Sequence, residues 1–482
     1  MLFNSYAFLF GYLPIVFIVF FILCSRHLVK AAKAWLFFSS LFFYGYWDLR
    51  FLPLLLGSIV FNYCCGYLIL TSINTPKAKF YLTFGMIANL ALLFYFKYYN
   101  FFITTLLGNS LTFAELILPM GISFFTFTQI AYLIDTFQGK AGPCDLISYG
   151  LFVTIFPHLI AGPILHHKQM IKQFNSLRMF VFQHRNVAQG IFLFVLGLAK
   201  KVLIADTLAT YVKPIFDNQL EVVPFIQAWF GALAYTLQLY FDFSGYSDMA
   251  VGLGLMFNLR LPINFNSPYK ADSIIDFWRR WHITLSIFLK DYLYISLGGS
   301  RNGKFNHLRN LMLTMLLGGL WHGAGWTFIF WGALHGTALI INHVWRDLKM
   351  STSKIIAKTL TLLIIVIGWV IFRSPDVLTA TNIFEGMFGL NGIGMPLKYE
   401  PILNFLKPVG VFFANDLKIN VRIYELISLV VIYLGVFLAP NSNEWLLRFE
   451  KNPKKWAIPS AALFLISLLF LDDMTEFLYY QF

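Results

Sequence analysis

Apolar residues fill most of this chain, and polar ones gather in a few stretches. The apolar runs include "FLFGYLPIVFIVFFILC" (8–24), "FLPLLLGSIVFNYCCGYLIL" (51–70) and "LTFGMIANLALLFYF" (82–96). Further along come "GIFLFVLGLA" (190–199), "LTLLIIVIGWVIF" (360–372) and "LISLVVIYLGVFLA" (426–439). A helix of about 20 apolar residues crosses the hydrocarbon core, and shorter runs read as re-entrant or shielded segments. The pattern predicts an all-α polytopic membrane protein with about eleven or twelve transmembrane helices plus re-entrant and interfacial ones. No repeat or low-complexity tract interrupts it, so a single membrane domain over 1–482 is expected.

Three polar stretches stand out. Residues 166–186, "HHKQMIKQFNSLRMFVFQHRN", alternate basic and apolar positions and suit the inner interface. Residues 258–310 carry Arg260, Lys270, Arg279, Arg280, Lys290, Arg301, Lys304 and Arg309. Within them Ile274, Trp278, Trp281, Leu285, Phe288 and Tyr292 recur at helical spacing, with Asp272 and Ser273 as caps, which predicts one amphipathic interfacial helix. Arg279, Arg280 and Lys290 could line a cytoplasmic entrance for an anionic acyl donor such as a nucleotide thioester; a solvated basic loop is the competing reading. Residues 373–421 mix Gly, Pro and Asn with Phe and Met and are expected to form short helices.

Composition agrees with the pattern: 58% of residues are hydrophobic and 12% charged, against roughly 25% charged in soluble domains. The formal charge of +13 then reads as loop topology and lipid headgroups rather than nucleic acid. No basic region precedes the first apolar run, so it is not a cleavable signal. Arg26, Lys30 and Lys33 follow it and place that loop inside, and Lys77 and Lys79 mark a second inside loop. The four cysteines lack metal-ligand spacing and read as packing residues, with acylation open for Cys24 and Cys144.

The candidate chemistry lies in "LWHGAGWTFIFWGALHG" (320–336), which places two histidines in an apolar setting. The run 308–346 is too long for one span, and Gly318, Gly319, Gly323 and Gly325 predict a break around Trp321 and His322. Broken backbone at membrane depth must line a cavity or lie within protein, so His322 is expected in a protected chamber. A neutral imidazole there can accept a proton from a hydroxyl near pH 7. His335 follows at a distance of thirteen residues, about 100° each, which puts it on the far side of a continuous helix. The two could share a site only if the glycines bend the chain.

This segment resembles the histidine signature of the membrane-bound O-acyltransferases. The block 240–301, "YFDFSGYSDMAVGLGLMFNLRLPINFNSPYKADSIIDFWRRWHITLSIFLKDYLYISLGGSR", resembles the bacterial alginate O-acetylase type, and "FPHLIAGPI" (156–164) is similar to another block of that group. The resemblance implies helices around a central tunnel, with His322 as the catalytic histidine and His282, in "RRWHITLS", as the second. His335 and His158 lie in family-like blocks without an assigned chemistry. Asp242, Ser244, Tyr246 and Asp248 read as structural hydrogen-bonding groups in preference to catalytic ones.

The implied activity moves an acetyl group from a cytoplasmic donor such as acetyl-CoA across the bacterial inner membrane. The acceptor would be an extracytoplasmic polysaccharide such as alginate or peptidoglycan, reached with an extracytoplasmic acetyltransferase partner. Membrane lipids surround the chain; no metal, bound cofactor or nucleic acid is expected. Rival readings are D-alanyl transfer to teichoic acid and a transporter with His322 on a proton or solute pathway.

Overall fold

Pro14 directly follows the π-helical turn Ala7–Tyr12, and the two run on as one helical span to Ser25. Phe10, Ile15, Ile18 and Ile22 point outward from this first span, Ala7–Ser25, while Val16 and Phe20 are buried. An outward Ile/Phe stripe is stable only where lipid surrounds it. The computed structural model describes residues 1–107, 116–217, 222–414, 421–471 and 477–478. Among them five helical segments are long and apolar enough to cross a membrane: Ala7–Ser25, Leu49–Thr71, Pro76–Thr105, His184–Phe216 and Lys354–Arg373. The bent pair Ile423–Leu438 and Ser442–Lys451 makes a sixth if it counts as one span. The all-α polytopic class agrees with the pattern of the sequence. The eleven or twelve apolar runs exceed these spans because several of them fold as shorter or broken helices.

The chain forms two compact units. One comprises Met1–Ala199, Ser244–Asn264 and the described residues from Ser442 onward; the other comprises Lys200–Phe243 and Phe265–Asn441. In the first, the His184–Ala199 helix packs against the last part of the Phe225–Met256 helix with almost no gap. A Cβ on Gly190 would lie 2.5 Å from the Gly252 carbonyl oxygen, and one on Gly197 would lie 2.5 Å from that of Gly245. Equal spacing of the glycines on both helices makes the two close contacts simultaneous, as small-residue packing in membranes requires. Amide pairs join other helices of this unit: Asn62 and Asn89 donate to each other at 3.2 and 2.6 Å, and Gln129 Nε2 donates to Ser58 Oγ at 2.9 Å.

In the second unit, the described part of 373–421 holds the expected short helices, Val377–Met387, Leu397–Tyr399, Glu400–Leu403 and Asn404–Val409, and adds a small ribbon that was not expected. After the Val377–Met387 helix, the strands Ile393–Pro396 and Val411–Ala414 pair in parallel, Ile393 opposite Val411. The strand backbones carry mixed Gly, Met, Pro and Phe, which have no alternation to announce them. The ribbon docks at the start of the Phe225–Met256 helix, where Phe225 N donates to Gly392 O at 3.0 Å.

Candidate active site

The expected break is present. The Gly303–His322 helix ends at His322, Gly323 and Gly325 adopt extended backbone about a bend at Ala324 and Gly325, and Trp326–Asp347 returns antiparallel to it. Gly318 and Gly319 lie within the first arm and serve its packing rather than the break. A Cβ on Gly319 would sit 2.2 Å from Phe328 O, and one on Gly332 would sit 2.4 Å from Met315 O. Backbone meets backbone here, so no side-chain motion can make room. Gly332→Val is expected to destabilise the protein by at least about 1–3 kcal/mol, seen as a lower unfolding temperature in detergent.

His322 thus stands at the tip of a hairpin. It is 6% exposed, and its ring lies 4.9 Å from Trp321, 5.1 Å from Trp331 and 5.2 Å from Phe372, centroid to centroid. The bend also joins His335 to the same cluster, because Trp331, one helical turn before His335 and 4.7 Å from it, meets His322 of the other arm. His335 is fully buried between Trp278 and Trp331, and among the described residues neither of its ring nitrogens has a hydrogen-bond partner. Its Nε2 would be 2.9 Å from a Cβ on Gly368, so the Lys354–Arg373 helix presses its backbone against the imidazole. Phe372 of that helix reaches His322, and the neighbouring Arg373 is anchored by its ion pair with Asp217 and by the faces of Phe216 and Tyr235.

His282 arrives by a different device. The expected continuous amphipathic helix is broken: Ile274–Arg280 ends, Trp281 is extended, His282 adopts φ 41° and ψ 56°, and Ile283–Phe288 begins. The Ser273 hydroxyl caps the first piece by accepting from Asp276 N, as expected. Asp272 instead pairs with Lys358 at 3.3 Å. A left-handed histidine is uncommon, and such backbone persists where surrounding structure over-determines it. Here Phe243 meets the fully buried His282 ring edge-to-face at 4.7 Å. Trp321 lies 6.3 Å from His282 and 4.9 Å from His322, so one indole neighbours both histidines.

The three candidate donor cations differ in freedom. Arg279 is exposed. Arg280 Nε donates to Asp276 Oδ2 at 2.9 Å and its side chain is 33% exposed, so it is partly committed to its own helix. Lys290 is 68% exposed and only loosely paired with Asp291, at 4.0 Å. In "FDFSGYSD" the two acids take structural partners: Asp242 Oδ1 meets Lys201 Nζ at 2.7 Å, and Asp248 Oδ2 accepts from Ser442 Oγ at 2.5 Å. Ser244 is buried, and Tyr246 stacks on Phe3 and Phe477. In the first unit, His158 is bonded through Nδ1 to Pro163 O at 2.9 Å and shapes the tight turn of "FPHLIAGPI". Cys24 is buried, and Cys144 is half-buried with its sulfur 3.4 Å from His167 Nε2.

Sequence reasoning missed Lys201. It is 3% exposed, and its ammonium lies 2.7 Å from both Asp206 and Asp242, themselves 4% and 2% exposed. The signal was an acid five residues after a lysine inside an apolar run. That spacing suits no ordinary helix, but Lys200–Ala205 is a π-helix, whose i→i+5 bonding stacks residues five apart. Among the described residues, no group of three or more His, Cys, Asp or Glu could hold a metal ion.

Comparison with known proteins agrees with the geometry. The profile of the membrane-bound O-acyltransferase family matches residues 41–372, which hold both candidate histidines. The chain is 42% identical to a peptidoglycan O-acetyltransferase of Helicobacter pylori, over 100% of this chain and 98% of that protein. It is 45% identical to a probable alginate O-acetylase, AlgI, of Pseudomonas aeruginosa, over 80% and 75%. A teichoic acid D-alanyltransferase of Streptococcus thermophilus is 27% identical over 49% and 59%. A broken hairpin with a buried histidine at its tip, in an apolar chain matched over most of its length, therefore belongs to the membrane-bound O-acyltransferase family.

Proposed function

We propose that this enzyme passes acetyl groups from cytoplasmic acetyl-CoA through the bacterial inner membrane for O-acetylation of peptidoglycan, with an extracytoplasmic acetyltransferase partner. The observation that supports peptidoglycan is the end-to-end match to the Helicobacter pylori protein, which includes the stretch beyond residue 372. In this reading the imidazole of His322 takes the proton of an acceptor hydroxyl as that oxygen attacks the thioester carbonyl. The carbon–sulfur bond breaks, and the thiolate recovers the proton. Alternatively the imidazole attacks the thioester carbonyl, the carbon–sulfur bond breaks and the thiolate takes the ring proton; the acetyl-imidazole then gives its acetyl group to the hydroxyl oxygen, and the freed imidazole takes back the hydroxyl proton. Trp321, Trp331 and Phe372 around the ring favour either route by excluding the water that would hydrolyse the donor. His282 would position the reacting groups from the other side of Trp321.

Base-labile acetate in peptidoglycan from a deletion strain tests the reading. Complementation should restore it; restoration only in a secreted polysaccharide would support the alginate reading, for which the 45% identity to AlgI speaks. Base-labile D-alanine in place of acetate would favour the teichoic acid branch.

The donor role of the cations has its own test. Arg279→Gln and Lys290→Gln should each raise the KM for acetyl-CoA about threefold to tenfold and leave kcat near native, as loss of uniform binding does. Unchanged KM in both variants would return them to the solvated-loop reading.

A further inference from the structure

Two cavities in the first unit adjoin along the His184–Ala199 helix and have opposite character. The first, of about 620 Å³, is apolar; Ile191, Phe192 and Val195 line one wall and Ala457, Ala461 and Phe464 of the Pro453–Leu469 helix line the other. The second, of about 460 Å³, is polar and holds Arg185, Asn186, Gln189, Arg260 and Glu450. Neighbouring residues divide between them: Ala188, Met256 and Phe449 face the apolar cavity, while Gln189, Leu255 and Glu450 face the polar one. Phe192 stacks on Phe449 at 4.4 Å near that junction.

Charge in the polar cavity is not balanced. Glu450 accepts from Gln189 Nε2 at 2.9 Å and lies 3.5 Å from Arg185, which leaves Arg260, exposed, as excess positive charge. Lys454, also exposed, stands at the rim of the apolar cavity, with Lys451 nearby in sequence. A polar chamber with a net cation, opening beside an apolar groove of acyl-chain dimensions, matches an amphiphile with an anionic head. We propose that this is a specific site for an anionic glycerophospholipid, its phosphate at Arg260 and Arg185 and one acyl chain between the His184–Ala199 and Pro453–Leu469 helices. The lipid would fill a gap that the helices leave open, and so hold the Pro453–Leu469 helix in place.

The test uses the purified full chain in nanodiscs of equimolar phosphatidylglycerol and phosphatidylcholine, followed by detergent extraction and mass spectrometry of retained lipid. Phosphatidylglycerol should be retained in preference, and its addition should raise the unfolding temperature. Arg260→Gln should lower that preference about fivefold, as expected for one arginine at an anionic headgroup. Ala461→Trp, which fills the groove, should abolish retention while the protein remains folded in detergent. Equal retention of both lipids, or an unchanged preference in Arg260→Gln, would reduce the site to ordinary annular lipid and overturn the proposal. Displacement of the lipid by acetyl-CoA at Arg260 would overturn it too, by making the polar chamber a donor site.

Discussion

His322→Ala should lower O-acetyl transfer by about a hundredfold to ten-thousandfold, the range for loss of a positioned general base. The measurement is base-labile acetate in the envelope of a deletion strain, with native and variant proteins at equal membrane levels. The loss should be in chemistry rather than in folding. His322 ends its helix and its backbone needs no special conformation, so a small side chain is tolerated at the hairpin tip. Trp331 and Phe372 keep their own ring contact at 5.5 Å without it. Near-native acetate in His322→Ala would make this histidine structural and remove the centre of the mechanism.

Lys201→Met should cost about 3–5 kcal/mol, the effect of breaking a buried charge pair by removing one partner. Two carboxylates that shared an ammonium at 2.7 Å would be left facing each other away from water. Both desolvation and like-charge repulsion then oppose the folded state. A triple variant, Lys201→Met with Asp206→Asn and Asp242→Asn, should recover much of the stability because no uncompensated charge remains. Thermal unfolding in detergent separates the two. Equal unfolding temperatures for native and Lys201→Met would show that the triad does not bind its charges together.

The hairpin was legible because four glycines flank a histidine within an apolar run too long for one span. Trp281 and His282 were not. "WRRWHITLS" reads as helix by propensity and spacing, while the buried ring of His282, set edge-to-face on Phe243, goes with a left-handed residue that the sequence does not announce. Tertiary contacts override local preference at such a point. Lys201 was hidden for another reason. A basic pair at a helix end looks like a topology signal, and the π-helix that turns Lys201 toward Asp206 changes the register by one residue. The bond of Arg280 to Asp276, four residues earlier, is visible in the sequence once a helix is assumed.

The crossing at Gly319 and Gly332 bears on how this protein can evolve. Where backbone touches backbone, the position of the hairpin tip does not depend on the size or shape of the surrounding side chains. Aliphatic neighbours can drift through many substitutions without displacing the imidazole they flank. A saturation library should therefore show two near-invariant columns at 319 and 332 within a permissive helix, a pattern of constraint set by the missing side chains.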